Sequence, residues 1–272
     1  MLEAKLMPFD EWKMLYIDSM KESATKGYSF DFAGGVGDDD QPLRMSSIGK
    51  CARMQFYERV SNSAVMGMIQ HPWQNILGYA GQEIVAMTLR GMGYELFDQE
   101  TTVNFAGVPG HVDGKLRGLD IPKKKFLVWD NKNRNTFSYA DLVKYGLPKA
   151  DVEMYCQQQG YIAATGAIGA LITVVPYDIA AVRSTLKQRK MADPDPWVQR
   201  IILEPDQEAQ DVVSGRAEML DIAIEAGLLP NREYEPESGK FPCSHCSFLT
   251  RCLADGPTTD YQVTPIPASW SE

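Results

Sequence analysis

Histidine is scarce in this chain, three in 272 residues, which leaves little material for a nucleophile–histidine pair. The first residues lack a basic stretch followed by an apolar one, so no secretory signal is expected and the expected compartment is the cytoplasm. The uncharged run over 160–177 approaches the length of a membrane span. Gly166, Gly169, two Thr and Pro176 interrupt it, and a helix end followed by a buried strand accounts for it, so no membrane contact is expected. No internal repeat is visible, and no G-x-x-x-x-G-K-[ST] phosphate loop occurs, so any ATP-driven step would belong to a partner. Positive charge is in deficit, with 27 Lys and Arg against 36 Asp and Glu, a formal net charge of −9. That argues against a protein that coats a polyanion through a general positive field. Five cysteines, an odd number without a signal, argue against a disulfide framework.

What is present is unevenly distributed. Residues 113–134 hold seven Lys or Arg against three Asp, a local +4, whereas residues 204–239 hold ten Asp or Glu against two Arg, a local −8. The basic segment contains the most informative stretch, VPGHVDGKLRGLDIPKKKFLVWDNK over 108–132. Two strand-like runs lie in it. The first, 110–116, carries Asp113; the second, 125–132, carries Asp130 and Lys132 after the apolar triplet Leu127-Val128-Trp129. Side chains alternate on a strand, so Asp130 and Lys132 share a face and Asn131 points away. Carboxylate oxygens at a sheet mouth suit a hard divalent cation that keeps waters, and a lysine beside it can orient water and offset phosphate charge. The pattern reads as a metal-dependent phosphodiester hydrolysis site, against the plainer reading of a solvated strand edge. Downstream, EMYCQQQGYIAATG places Gln157 and Tyr161 at i, i+4 on one helix face.

Around this centre the sequence predicts helices over 9–20, from Ser46 or Ser47 through Tyr57, and over 72–91, 139–146, 151–166, 179–191 and from 205 to Gly227. Strands are predicted over 94–105, 167–175 and 197–203. The first helix offers Trp12, Leu15, Tyr16 and Met20 as its apolar stripe, and the third offers Leu77, Ala80, Ile84 and Met87. Residues 30–45 read as a mobile Gly/Asp loop whose Asp38-Asp39-Asp40 is a solvated charge run, and 256–272 as a poorly ordered tail. Helices around mixed strands predict an α/β layered fold.

FPCSHCSFLTRC gathers Cys243, Cys246 and Cys252 within ten residues, which favours a metal site with a fourth ligand from elsewhere. Cys51, flanked by Lys50 and Arg53, is the upstream candidate. His245 in a Cys₃His zinc site is the rival, and free buried cysteines are the plainest alternative. Cys156 reads as a small buried hydrophobe.

The order Gly-x-x-Asp, Asp-x-Lys, Gln-x-x-x-Tyr, with one cysteine before and three after, resembles the PD-(D/E)XK nuclease superfamily in its RecB-like, iron–sulfur branch. CRISPR-associated and AddB-type nucleases belong to that branch. The resemblance spans about 46–252 and implies a restriction-endonuclease-like mixed central sheet flanked by helices. It also implies a helical iron–sulfur subdomain built from about 46–70 and 228–255 around a catalytic core of about 72–205, after an N-terminal helical segment over 1–45. Asp113 and Asp130, the Asn131 backbone carbonyl and Glu83 would hold Mg²⁺ or Mn²⁺. Gln82 matches less well than Glu83 because a neutral amide is a poor hard-metal ligand. The family usually has Glu where Asp130 stands, and Asp130 reaches one methylene less far. Lys132 would orient water, Gln157 and Tyr161 would contact substrate, and His111 would be an accessory at most. Cys51, Cys243, Cys246 and Cys252 would hold a [4Fe–4S] cluster. Joining Cys51 to Cys243 would close a loop of roughly 190 residues, constraining the unfolded chain by several kcal/mol. The activity implied is a DNA exonuclease acting on single strands or ends, with a helicase or recombination partner. A non-catalytic DNA-end-binding protein on the same fold is the alternative.

Overall fold

Four side chains start four helices in the same way. Asn135 accepts from the amides of Phe137 and Ser138 at 3.1 and 3.0 Å, Asp151 from Met154 at 2.8 Å, Asp178 from Ala181 at 2.9 Å and Asp206 from Ala209 at 3.2 Å. Each satisfies amides that the helix leaves unpaired, worth about 1 kcal/mol. The computed structural model describes residues 6–26, 43–60, 72–191, 198–236, 239–258 and 261–270. The helices are α1 Phe9–Lys26, α2 Ala52–Val60, α3 Pro72–Gly91, α4 Thr136–Tyr145, α5 Val152–Thr165, α6 Ile179–Gln188, α7 Gln207–Ala226 and α8 Leu249–Asp255. The strands are β1 Glu95–Phe97, β2 Thr101–Phe105, β3 Val108–Val112, β4 Gly114–Arg117, β5 Leu127–Arg134, β6 Ala170–Pro176 and β7 Gln199–Leu203.

The main sheet runs β1-β4-β5-β6-β7, and β2 with β3 forms a separate hairpin. Only the central β5–β6 pair is parallel, with Asp130 opposite Ile172 and Lys132 opposite Val174; the other neighbours are antiparallel. A mixed sheet flanked by helices is therefore present, as the sequence led one to expect. Two predicted strands are each cut in two. The run 94–105 breaks where Asp98 and Glu100 take φ of 47° and 51°, which sends β1 and β2 into different sheets. The run 110–116 breaks at Asp113, between β3 in the hairpin and β4 in the main sheet. Asp130 lies in the middle of β5 rather than at its end.

The two faces of the main sheet carry two cores. Val128, Ile172 and Val174 pack with residues of α4, α5, α6 and α7, and Leu127, Trp129 and Leu171 pack with α1 and α3. The stripe predicted for α3 is rotated in fact: Leu77 is exposed, while Val85, Ala86 and Leu89 are buried against Trp129. The i, i+3, i+4 pattern fits both stripes, and only the docking of the helix selects one. On α1, Trp12 and Tyr16 are buried as predicted, but Leu15 faces outward.

A third, small core joins the two ends of the chain. Phe56, Tyr57 and Ala223 pack with Leu229, Phe248, Cys252 and Tyr261. Two buried guanidinium groups tie these segments together. Arg53 donates to the carbonyls of Pro230 and Gly256, and Arg216 to those of Ile48, Lys50 and Thr264 while pairing with Glu233 at 2.5 Å. The segment read as a loose tail is packed here: Val263 and Trp270 are buried, and Trp270 meets Tyr155 edge-on at 5.2 Å. The loop with Asp38-Asp39-Asp40, and Trp197 at the predicted start of β7, lie outside the described residues. No described helix is long and apolar enough to cross a membrane.

Candidate active site

Asp113 occupies the joint between the hairpin and the main sheet, and the chain directs its side chain at β5. Its Oδ2 accepts from the backbone amide of Asn131 at 2.7 Å. On β5, Asp130 is buried, and its Oδ2 lies 2.8 Å from Lys132 Nζ. This is an ion pair at contact distance, on a carboxylate oxygen closed off from solvent. The alternation predicted for β5 holds. Asn131 and Asn133 join on the opposite face at 3.3 Å, where Thr173 donates to Asn131 at 3.0 Å.

Burial, and next the Asp130 carboxylate, push the Asp113 carboxyl well above its ordinary range, with Lys132 and the Asn131 amide opposing. Burial disfavours the charge on Lys132, but Asp130 and Asp113 outweigh it and hold the ammonium above its ordinary value. One buried and one half-buried carboxylate against one cation leave a deficit of positive charge. A hard divalent ion would relieve it, and the all-oxygen donors suit Mg²⁺ or Mn²⁺ better than a softer metal. Among the described residues no three His, Cys, Asp or Glu side chains converge on one ion site. An Mg²⁺-type ion held by one or two carboxylates and several waters needs no such triad.

Tyr161 backs this arrangement. Its hydroxyl accepts from Gln157 Nε2 at 2.9 Å, and burial, Asp130 and Asp113 all raise its pKa. Glycine at 110 makes the approach possible, since a Cβ there would sit 2.6 Å from the Tyr161 ring and 2.7 Å from Met45 Cβ. Gln157 and Tyr161 are both buried, so neither presents an exposed side chain to a substrate as the sequence led one to expect. His111, exposed on β3, is not drawn into the acid pair.

Glu83 does not meet the acid pair through any hydrogen bond or ion pair among the described residues. Its helix, α3, packs on the other face of the sheet, where Asn133 donates to the Leu77 carbonyl at 2.8 Å. Of the acids other than Asp130, Glu100, just before β2, bears on Asp113 as a minor influence behind burial, Asp130, Lys132 and the Asn131 amide. Gln82 Nε2 donates to Glu100 Oε1 and tethers it to α3. No sequence signal marks Glu100, because the fold and not a local pattern brings its charge toward Asp113.

The four cysteines Cys51, Cys243, Cys246 and Cys252 line a single cleft of about 440 Å³ out to its mouth, between the start of α2 and the segment around α8. Cys51 lies just before α2, not within it, and the amides of Arg53 and Met54 reach its sulfur. Arg53 Nη1 lies 3.7 Å from Cys252 Sγ. Lys50 and Arg53 beside Cys51 do not lower its thiol. Burial, then Glu233, push the thiol up to about 11, while Arg53 spends its charge on backbone carbonyls. Four soft sulfur donors are of the type that thiophilic metals take, but no three of them converge on one ion site among the described residues. His245 is not part of this cleft; it is exposed, with Ser244 Oγ 3.0 Å from its Nδ1. The Cys₃His alternative therefore loses its fourth ligand. Cys156 is fully buried in α5, as expected of a packing residue.

No protein-family model matches the chain, and no curated protein matches it. Solved structures resemble it in part. The crystal structure of SSO0001 matches 89% of this chain and 95% of that one, with a TM-score of 0.48 and 15% identity. A phage-related exonuclease from Haemophilus somnus 129PT matches 68% of this chain and 94% of that one, at a TM-score of 0.48 and 18% identity. The alkaline exonuclease LHK-Exo from Laribacter hongkongensis matches 68% of this chain and 88% of that one, at 0.45 and 14% identity. These likenesses are partial, and the functional assignment rests on the side chains described above.

Proposed function

We propose that the chain is a Mg²⁺- or Mn²⁺-dependent DNA exonuclease of the PD-(D/E)XK, RecB-like type that also carries a [4Fe–4S] cluster. The observation that carries the reading is the Asp113–Asn131 bond, which joins one carboxylate to the strand bearing the buried Asp130–Lys132 pair. Asp113 and Asp130, with the Asn131 carbonyl, would hold the metal, and Glu100 or Glu83 would add a carboxylate through water. The ion would supply Lewis acidity and a lowered water pKa. Lys132, fixed by Asp130, orients the attacking water and faces the charge of the scissile phosphate. Tyr161 and Gln157 keep the acid pair in register from beneath.

Cys51, Cys243, Cys246 and Cys252 would hold the cluster, and its chemistry there is to cross-link the two ends of the chain around the nuclease core. Arg53 and Arg216 already bring those ends together, so the cleft is formed by protein contacts before any cluster enters.

The test is degradation of end-labelled single-stranded DNA with Mn²⁺, with and without EDTA. Release of nucleotides that EDTA abolishes supports the reading. Binding without hydrolysis at any metal concentration would return the end-binding alternative.

A further inference from the structure

Helices α4 and α6 cover the same sheet face as Asp130 and Lys132. Tyr139, Leu142, Val182 and Leu186 from these helices share one core with Val128 and Ile172. Their outer surface has an unusual make-up for a chain of net charge −9. Phe137, in the first turn of α4, is 70% exposed, and Tyr145, two turns on, is 45% exposed. Phe137 follows Lys132 by five residues, which bounds their Cα separation at about 18 Å. Lys144 and Lys149 lie 4.7 and 5.6 Å from the Tyr145 ring centre, and Lys187 and Lys190 are exposed on and just after α6. Asp141, the acid between them, is neutralised by Arg189 at 2.6 Å, and that pair also fastens α4 to the end of α6.

One exposed aromatic is ordinary on a protein surface. Two on one helix, within a field of lysines and on a layer that covers the acid pair's face of the sheet, match the chemistry of a single-stranded polynucleotide, which offers unstacked bases and a phosphate at each step. A duplex hides its bases and cannot use the rings. Lysine over an exposed ring binds it more weakly than a stacked base does, so a base can displace the ammonium toward its own phosphate.

We propose that the α4–α6 surface binds the single-stranded part of a DNA substrate, with bases stacking on Phe137 and Tyr145 and phosphates on Lys144, Lys149, Lys187 and Lys190. The direction of that strand toward Asp113 and Asp130 rests on the nuclease reading.

The experiment uses the full chain with Ca²⁺ in place of Mn²⁺ and follows fluorescence anisotropy of a labelled single-stranded oligonucleotide and of its duplex. Phe137→Ala should weaken single-strand binding about tenfold, and adding Tyr145→Ala should weaken it about tenfold again. Phe137→Trp should bind like the parent, and duplex binding should change little in all three. Lys144→Gln with Lys149→Gln should reduce the slope of log affinity against log salt by about 1.4. Both rings are exposed, and unchanged melting temperatures will show that the variants fold. Equal single-strand affinity in the parent and in Phe137→Ala/Tyr145→Ala, or no binding by the parent, would overturn the proposal. Hydrolysis by the parent that the ring variants retain in full would overturn it while leaving the nuclease reading intact. Ring-dependent binding without hydrolysis would support it and remove the nuclease reading.

Discussion

The Asn131 amide holds Asp113 Oδ2 at 2.7 Å, and this one bond fastens the joint between two sheets to the strand that bears Asp130 and Lys132. Asp113 belongs to neither β3 nor β4. The same carboxylate sits beside the negative charge of Asp130, which costs the fold stability. On the proposed reading, a functional constraint and a structural one fall on a single side chain.

Asp113→Asn separates them. The amide oxygen can still accept from Asn131, but the charge is gone, so hydrolysis should fall at least about a hundredfold. The metal-free variant should melt higher than the parent at neutral pH. The sign follows from the raised carboxyl: the folded state binds a proton more tightly than the unfolded one, so the parent loses stability as pH rises from the ordinary carboxylate range through the raised value. The difference in melting temperature should therefore shrink in acid, and paired melts at pH 4 and pH 7 measure it.

Lys132→Met leaves Asp130 buried without its cation. Breaking a buried pair from one side costs on the order of 3 kcal/mol, so the metal-free variant should melt several degrees lower. Saturating Mn²⁺ should restore much of that stability, because the ion replaces the lost charge, while turnover stays low. If Mn²⁺ titration by calorimetry instead finds no binding, the lysine serves the metal and not the water.

Glu100→Gln and Glu83→Gln decide which acid serves the metal. Glu100 exerts a minor charge effect on Asp113; Glu83 sits on α3, which packs on the opposite face of the sheet. The Mn²⁺ concentration for half-maximal activity should rise about tenfold for Glu100→Gln and hardly at all for Glu83→Gln. The reverse order would restore the helix acid as a ligand.

Protein purified without oxygen should be brown and contain iron and sulfide, since thiolate-bound iron absorbs visible light and filled-shell Zn²⁺ does not. Cys51→Ala should bleach it as fully as Cys243→Ala, because both line one cleft. Cys156→Ala and His245→Ala should keep the colour. Colourless parent protein carrying one equivalent of zinc would reject the cluster.

Much of this was legible in the sequence because it is local. Asp130 and Lys132 share a face through the two-residue period of a strand, and Gln157 reaches Tyr161 through the four-residue neighbourhood of a helix. Helix ends at Asp151, Gly166 and Gly227 follow from capping chemistry that a short window contains. What the sequence did not disclose depends on pairs far apart in the chain. The breaks at Asp98, Glu100 and Asp113 arise because one extended run serves two sheets, and no local preference marks where the change occurs. Glu100 bears on Asp113 only through the fold, and the face that α3 buries is chosen by Trp129 rather than by α3 itself. Local periodicity placed the acid and the lysine on one face, and long-range packing chose the helix face that meets Trp129 and the cleft that distant cysteines line.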